Sequence, residues 1–340
     1  MTKQPLFGLT LPQLTERVLA EGLPKFTAKQ IADWLYKKDI DSIEQMTNLS
    51  LKVREQLATK YIYGIAKPTE VSESTDGTKK YLFTTQSHKF IETAYIPESD
   101  RATLCVSSQV GCKMGCLFCM TGKQGFQGNL SAGEIVNQFR SIPEWQNISN
   151  IVYMGMGEPF DNLENVLQSL EIITSDWGMA MSPRRITVST IGVIPAMIEF
   201  LEKSQCHLAV SLHTPFDDER RSLMPIQNVY PIQQVVNEIR KFDFSGQRRV
   251  SFEYIMFDGL NDSPRHVKET IQLLRGLQCR VNLIRFHPIP ASPLKGSPDK
   301  KIFEFRDALT AKGVFTTIRA SRGQDIQAAC GLLSTKSLIK

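Results

Sequence analysis

From residue 102 onward, short runs rich in β-branched residues alternate with amphipathic stretches, and this alternation limits the possible folds more than any other feature of the chain. Strands are expected in TLCVSS, NIVYMG, RRITVST, HLAVSLH, RVSFEYIM, RVNLIRFHP and FTTIRAS. Between them, SAGEIVNQFRSI, NLENVLQSLEIITSD, VIPAMIEFLEKS, PIQQVVNEIRKF, SPRHVKETIQLLRGL and KIFEFRDALTAK carry apolar residues at helical three-to-four spacing. A repeated strand–helix unit implies parallel strands joined by right-handed crossovers. About six such units suit a closed or partly closed barrel, and the expectation is an α/β fold built on a partial (βα)6 barrel. A flat doubly wound sheet is the alternative, although no cue marks a reversal of strand order.

Either architecture gathers its ligand sites at the carboxyl ends of the strands. The segments to inspect are therefore the loop after TLCVSS, GMGEP (155–159), STIG (189–192), SLHTP (211–215), FHPIP (286–290) and SRGQDIQAACG (321–331). Six consecutive loops dense in Gly, Cys and polar residues favour an active site at that end.

Ahead of the alternating region, residues 1 to about 63 read as helical in LPQLTERVLAEGL, TAKQIADWLYKK and SLKVREQLATKY, with Thr27 and Ser50 as N-cap candidates. A hairpin follows, EVSES and KKYLFTTQ around the Asp-Gly of TDGT. KFIETAYIP extends that sheet, with Glu92 inside its apolar run. Carboxylates are seldom buried unpaired, so the plainest placement for Glu92 is the wet face of an edge strand.

With 41% apolar and 22% charged residues, the composition is that of an ordinary globular protein. No 18-residue apolar run and no signal-like start occur, so a cytoplasmic protein without a membrane partner is expected. In a reducing compartment clustered thiols are metal ligands or catalysts more often than disulfides, and a total of seven cysteines resists simple pairing. Cys206 and Cys279 open apolar runs and read as inert core residues. The net charge of +5 permits a nucleic-acid partner without requiring one. The basic pairs Arg184-Arg185, Arg220-Arg221 and Arg248-Arg249 are expected on solvated faces.

Four of the seven cysteines fall within CVSSQVGCKMGCLFC: Cys105, then Cys112, Cys116 and Cys119 in C-x3-C-x2-C spacing. Three thiolates on one short loop can grip a single centre. Zinc would take four ligands, and no second pair stands nearby. A cubane iron–sulfur cluster held by only three cysteines would keep one iron open to an outside ligand. Both readings stand on the residues alone.

C-x3-C-x2-C after the first strand of a βα barrel resembles the radical S-adenosylmethionine (SAM) superfamily. TLCVSSQVGCKMGCLFCMTG, GMGEP, SPRRITVSTIG, SLHTPFDDERRSLMPI, YIMFDGLNDS and IQAACG, in this order, resemble one family within it. That family is the RlmN/Cfr group, the dual-specificity ribosomal and transfer RNA adenine-C2 methyltransferases. The resemblance implies a helical accessory unit over 1–70, a catalytic unit over 71–340 and a radical SAM core at about 98–326. It implies a [4Fe–4S] cluster on Cys112, Cys116 and Cys119, whose open iron takes SAM. Gly157, Glu158, Ser189, Ser211, Leu212 and His213 match SAM contacts. His287 stands at a SAM-binding position where relatives often carry Asn.

The implied chemistry gives the remaining cysteines work. Carbon 2 of adenine lies between two ring nitrogens and is electron-poor, so it cannot displace the methyl group of electrophilic SAM directly. A thiolate can take the methyl first. Cys330 matches the family's methyl carrier, Cys105 its resolving thiol in a transient disulfide, and Glu92 its general base. Two SAM molecules per turnover, an electron donor such as a flavodoxin or ferredoxin, and 23S rRNA and tRNA as substrates complete the expectation. Methylation at carbon 8 by a sister branch, and a non-catalytic zinc RNA-binding protein, are the alternatives.

Overall fold

The computed structural model describes residues 3–335. Its main sheet has ten strands laid side by side in the order of the chain. It begins with an antiparallel extension, β1 (Glu70–Glu73), β2 (Lys79–Thr84) and β3 (Phe90–Pro97). β3 pairs antiparallel with β4 (Ala102–Cys105). From there the sheet is parallel through β5 (Asn150–Tyr153), β6 (Ile186–Thr190), β7 (His207–Ser211), β8 (Val250–Met256), β9 (Cys279–Arg285) and β10 (Phe315–Ile318). All seven strands expected from the alternating pattern form, and strand order never reverses. The doubly wound alternative is thereby excluded.

Three helices precede the sheet: α1 (Leu11–Ala20), α2 (Thr27–Lys37) and α3 (Leu51–Lys60). The six crossovers carry α4 (Ala132–Arg140), α5 (Leu163–Thr174), α6 (Ile194–Lys203), α7 (Ile232–Ile239), α8 (Pro264–Leu274) and α9 (Asp299–Ala311). Two-residue alternation along the strands sorts their side chains. On β6, Ile186 and Val188 are buried in the main apolar core, while Thr187 and Ser189 line an interior cavity. β4 repeats this, with Leu104 in the core and Thr103 and Cys105 toward the cavity. A fully closed barrel fills its interior with branched apolar side chains. Here the interior holds a cavity of mixed polar and apolar lining.

The sheet does not close, and β1 and β10 are its two edges. The chain beyond β10 runs across to the β1–β2 turn and to β3. Asp76 accepts the Gly323 N–H at 2.9 Å, Asp325 accepts the Ser74 hydroxyl at 2.5 Å, and the Thr335 hydroxyl donates to the Phe90 carbonyl at 3.1 Å. This segment carries Cys330.

The amino-terminal helices share their core with the barrel. Leu14, Ile31 and Leu35 belong to the same apolar cluster as Ile135, Val136 and Leu170. Gly8 approaches Gly133 so closely that a Cβ on Gly8 would lie 2.3 Å from the Gly133 Cα, and the Gly8 backbone has φ +95°. Ser50 caps α3 as expected, accepting from the Val53 N–H at 3.4 Å. Thr27 does not cap α2. It is buried inside the first turn because the chain already turns at Pro24, whose carbonyl takes the Thr27 N–H at 2.9 Å. Among the described residues no helix is long and apolar enough to cross a membrane.

Candidate active site

The cysteine loop follows β4 and is braced at several points. Gln109–Val110 pairs antiparallel with Gly128–Asn129. Gly111, with φ +71°, leaves no room for a side chain, since a Cβ would lie 1.7 Å from the Gly125 carbonyl oxygen. Leu117 N–H donates to the Leu223 carbonyl, and Met120 N–H to the Gly331 carbonyl, each at 2.9 Å. The second bond ties the loop to the residue after Cys330.

Cys112 and Cys116 are 9% and 8% exposed and, with Cys119, line one cavity of about 730 Å³. Burial pushes the Cys112 thiol up to about 12. Burial, then the neighbouring thiols Cys119 and Cys112, pushes Cys116 well above its ordinary value. Thiols in such a place ionise only beside strong positive charge, which iron centres supply. Among the described residues no three His, Cys, Asp or Glu side chains gather tightly enough for a single metal ion. Thiolates gripping separate corners of a cubane need no such convergence, so this donor set fits a [4Fe–4S] cluster on Cys112, Cys116 and Cys119.

GMGEP packs directly behind this loop. Gly157 has φ +99°, and a Cβ there would sit 2.5 Å from the Gln109 Cβ. The Glu158 carboxyl is buried and fixed by two amides, Phe160 N–H at 3.1 Å and Ile191 N–H at 3.0 Å. Burial nevertheless dominates and raises its pKa to about 7. An incoming ammonium would therefore meet an oriented acceptor that gains from a positive partner.

Ser189, Ser211, His213 and His287 also line the cavity. His213 adopts φ +59° and accepts the Ile255 N–H on Nδ1 at 3.0 Å. Burial, then Arg220, lowers its pKa to about 3, so the neutral ring carries its proton on Nε2. Leu212 differs from its two neighbours. Its side chain is fully buried in the apolar core, outside the cavity lining. Alternation along the chain turns it away from the face that Ser211 presents, leaving only its backbone near the site.

Cys105 and Cys330, 225 positions apart in sequence, both line this cavity, and every cysteine is a free thiol. Cys330 is exposed, but toward the enclosed interior, where burial pushes it up to about 11 against the opposing pull of Arg319. Burial, then the neighbouring Cys330, pushes Cys105 up to about 12.

Glu92 overturns its plainest placement. β3 lies between β2 and β4 rather than at an edge, and Glu92 is only 7% exposed. Its carboxylate is paired with Lys80 Nζ at 2.8 Å and accepts the Ser334 N–H at 2.8 Å. It lies outside the cavity lining, which includes Leu333.

Two features escaped sequence reasoning. Arg220, expected on a solvated face, is 0% exposed. Its guanidinium donates to the carbonyls of Ile191 and Ser211, at 2.8 and 3.0 Å, and to Gln227 Oε1 at 2.6 Å, pinning the STIG and SLHTP loops together. Inside the cavity, Glu253 accepts from Ser251 at 3.0 Å and Asn282 at 2.8 Å and pairs with Arg319 at 3.2 Å. Polar residues at alternate positions of otherwise apolar β8 and β9 were the available signal.

A parallel half-closed barrel with a three-cysteine loop after its first parallel strand, opposite a GMGEP loop, defines a radical SAM enzyme. Residues 106–274 match the model of the radical SAM superfamily, and residues 4–62 match the ribosomal RNA large subunit methyltransferase N-terminal domain. A protein named probable dual-specificity RNA methyltransferase RlmN from Phocaeicola vulgatus is 57% identical over 333 residues, covering 98% of this chain and 95% of the relative. The dual-specificity RNA methyltransferase RlmN of Syntrophus aciditrophicus is 42% identical over 99% of this chain and 98% of its own. A crystal structure of a radical SAM methyltransferase from Sphaerobacter thermophilus superposes with a TM-score of 0.91 at 42% identity, covering 97% of this chain and 99% of that one. The chain belongs to the RlmN family.

Proposed function

We propose that this protein methylates carbon 2 of a specific adenine in 23S rRNA and in the anticodon loop of tRNA, carrying the methyl group on Cys330. The observation that carries this reading is the convergence of Cys330 and Cys105 on the cavity that also holds Cys112, Cys116 and Cys119. The relatives' name, dual-specificity RNA methyltransferase, supports the substrate class.

With SAM bound, a cluster on the three loop cysteines supplies a carbon-centred radical. Cys330 serves as nucleophile toward the methyl group of one SAM. After loss of a hydrogen atom to the radical derived from a second SAM, the sulfur-bound carbon bonds to adenine carbon 2. Glu92 takes the carbon-2 proton. The adduct's unpaired electron returns to the donor side. Cys105 attacks the Cys330 sulfur, so that a disulfide forms as the carbon–sulfur bond breaks and the released carbon takes a proton to become the methyl group. Two electrons from the flavodoxin- or ferredoxin-class donor then restore the two thiols. Glu158 and Gly157 receive the SAM ammonium, while Ser189, Ser211, His213 and His287 surround the rest of the molecule. For Glu92 to reach the base, the segment around Leu333 and Ser334 has to shift, because it covers the carboxylate. The target base has to leave its stack to enter the cavity. The helical unit over 1–70 is assigned to RNA docking, the electron donor to the flavodoxin or ferredoxin class, and the site of action to the cytoplasm.

The test is anaerobic reconstitution with iron, sulfide, SAM, reductant and an rRNA or tRNA fragment, followed by nucleoside analysis. 2-Methyladenosine is expected. 8-Methyladenosine, or methylated RNA whose label never passes through Cys330, overturns the reading.

A further inference from the structure

The chemistry above occupies the carboxyl ends of the parallel strands. At their opposite ends, strand alternation brings a second group of polar residues to the barrel interior. Arg185 immediately precedes β6, His207 opens β7, Arg249 immediately precedes β8, and Arg280 is the second residue of β9. Arg185 and Arg280 line the same cavity as Cys105. Arg184, Arg185, Arg249 and Arg280 are all exposed. Among the described residues none of these four has a carboxylate partner, and the Glu98 carboxylate, which lines the same cavity, is taken up by Arg101.

The group is also held in place. His207 Nδ1 accepts the Arg249 N–H at 3.0 Å, and its ring faces the Arg184 carbonyl, so one imidazole joins two basic segments. The Arg280 guanidinium stacks over the Phe315 ring at 4.9 Å. Burial, then Arg249, lowers the pKa of His207 to about 4, which keeps the ring neutral among the arginines. Like charges held together without counter-charge repel one another, and an arriving anion relieves that repulsion. Guanidinium forks match the paired oxygens of phosphate. A concave mouth admits a narrow polymer and excludes a flat surface.

We propose that the amino-terminal mouth of the barrel is a second RNA-docking site, where Arg185, Arg249 and Arg280, with Arg184 at the rim, hold phosphodiester groups of the substrate RNA away from the target adenine. This rests on the reading of RNA as substrate. The parallel strands are about 20 Å long, so a few nucleotides of extended backbone along one flank connect the two ends.

The test uses the reconstituted holoenzyme with a tRNA transcript, comparing wild type with the triple variant Arg185→Gln, Arg249→Gln, Arg280→Gln. A control replaces Lys268, Lys300 and Lys312 on or beside the outer helices with Gln, removing equal charge from elsewhere. Binding is followed by anisotropy across a salt series without methylation, so its outcome is independent of the chemistry assigned to Cys330. Each lost phosphate contact should reduce the slope of log Kd against log salt by about 0.7–0.9, so the triple variant should lose roughly 2–3. The RNA KM should rise roughly tenfold or more at moderate salt with kcat and RNA-independent SAM cleavage unchanged. Arginine-to-lysine versions should recover most of the slope. An unchanged slope, an equal loss in the control, or a fall in kcat at constant KM would each overturn the proposal.

Discussion

The two ends of the barrel handle charge in opposite ways. At the carboxyl end three charged groups are enclosed and occupied: Glu158 by two amides, Arg220 by three oxygen acceptors, Glu92 by Lys80 and a backbone amide. The thiols there are held toward their neutral forms by burial. At the amino end four arginines stand exposed without a carboxylate partner among the described residues. A buried charge is tolerated only when its hydrogen-bonding capacity is met, whereas an exposed one is kept affordable by water. One end is therefore organised to hold a small ligand and reactive sulfur away from solvent. The other remains available to an external polyanion.

The strongest way to break this contrast is through the thiols. Cys330→Ala should end 2-methyladenosine formation while leaving the iron and sulfide content intact. Cys105→Ala should instead leave a protein–RNA adduct visible on a denaturing gel. Normal turnover by either variant would remove sulfur from the mechanism. Next in size is Glu92→Gln, for which a loss of about 10²–10⁴ in methylation rate is expected, with RNA affinity unmoved. If only RNA affinity changes, Glu92 is a structural partner of Lys80 and nothing more.

Arg220→Met probes enclosure itself. It takes the guanidinium donor from two carbonyls and leaves the Gln227 amide oxygen with only the Ile232 N–H, for an expected loss of about 3 kcal/mol in chemical denaturation. A near-neutral result would mean that the STIG and SLHTP loops do not depend on this clamp. The smallest effect concerns His207. Its folded pKa of about 4 lies below the ordinary value of 6.5, so the fold prefers the neutral ring. That contribution is present above pH 6.5 and is lost as pH falls through 4. His207→Gln should flatten this part of the stability profile, and bound RNA should raise the His207 titration by offsetting Arg184, Arg249 and Arg280. An NMR titration with and without RNA reads both.

The common core also alters how the helical front end can be tested. Removing residues 1–70 would strip Leu14, Ile31 and Leu35 from the cluster that contains Ile135 and Leu170, so truncation should damage the barrel as well as any RNA contact. Substitutions on the exposed faces of α1–α3 are the cleaner probe.

Much of the architecture was legible because strand and helix periodicity is local. β4 to β10 and their six helices fall where the alternating pattern placed them. The cluster loop was legible because its three thiols are neighbours in the chain. Cys105, Cys330 and Glu92 were not, apart from the family resemblance, since isolated cysteines in apolar segments read as core and a carboxylate in an edge-like strand reads as solvated. Arg220 misled for a related reason. Adjacent arginines look alike in sequence, yet Arg221 pairs with Asp218 at the surface while Arg220 points into the protein.

By itself, then, the sequence determined the repeating strand–helix unit, its direction and the spacing of the three loop cysteines, because these depend on contacts between residues close along the chain. Only the tertiary structure decided which face of each strand turns inward, that the segment beyond β10 crosses the open side of the sheet, and that sulfurs 225 positions apart share one cavity. Those outcomes depend on how the whole sheet curls and where its edges are left unpaired, which no local pattern encodes.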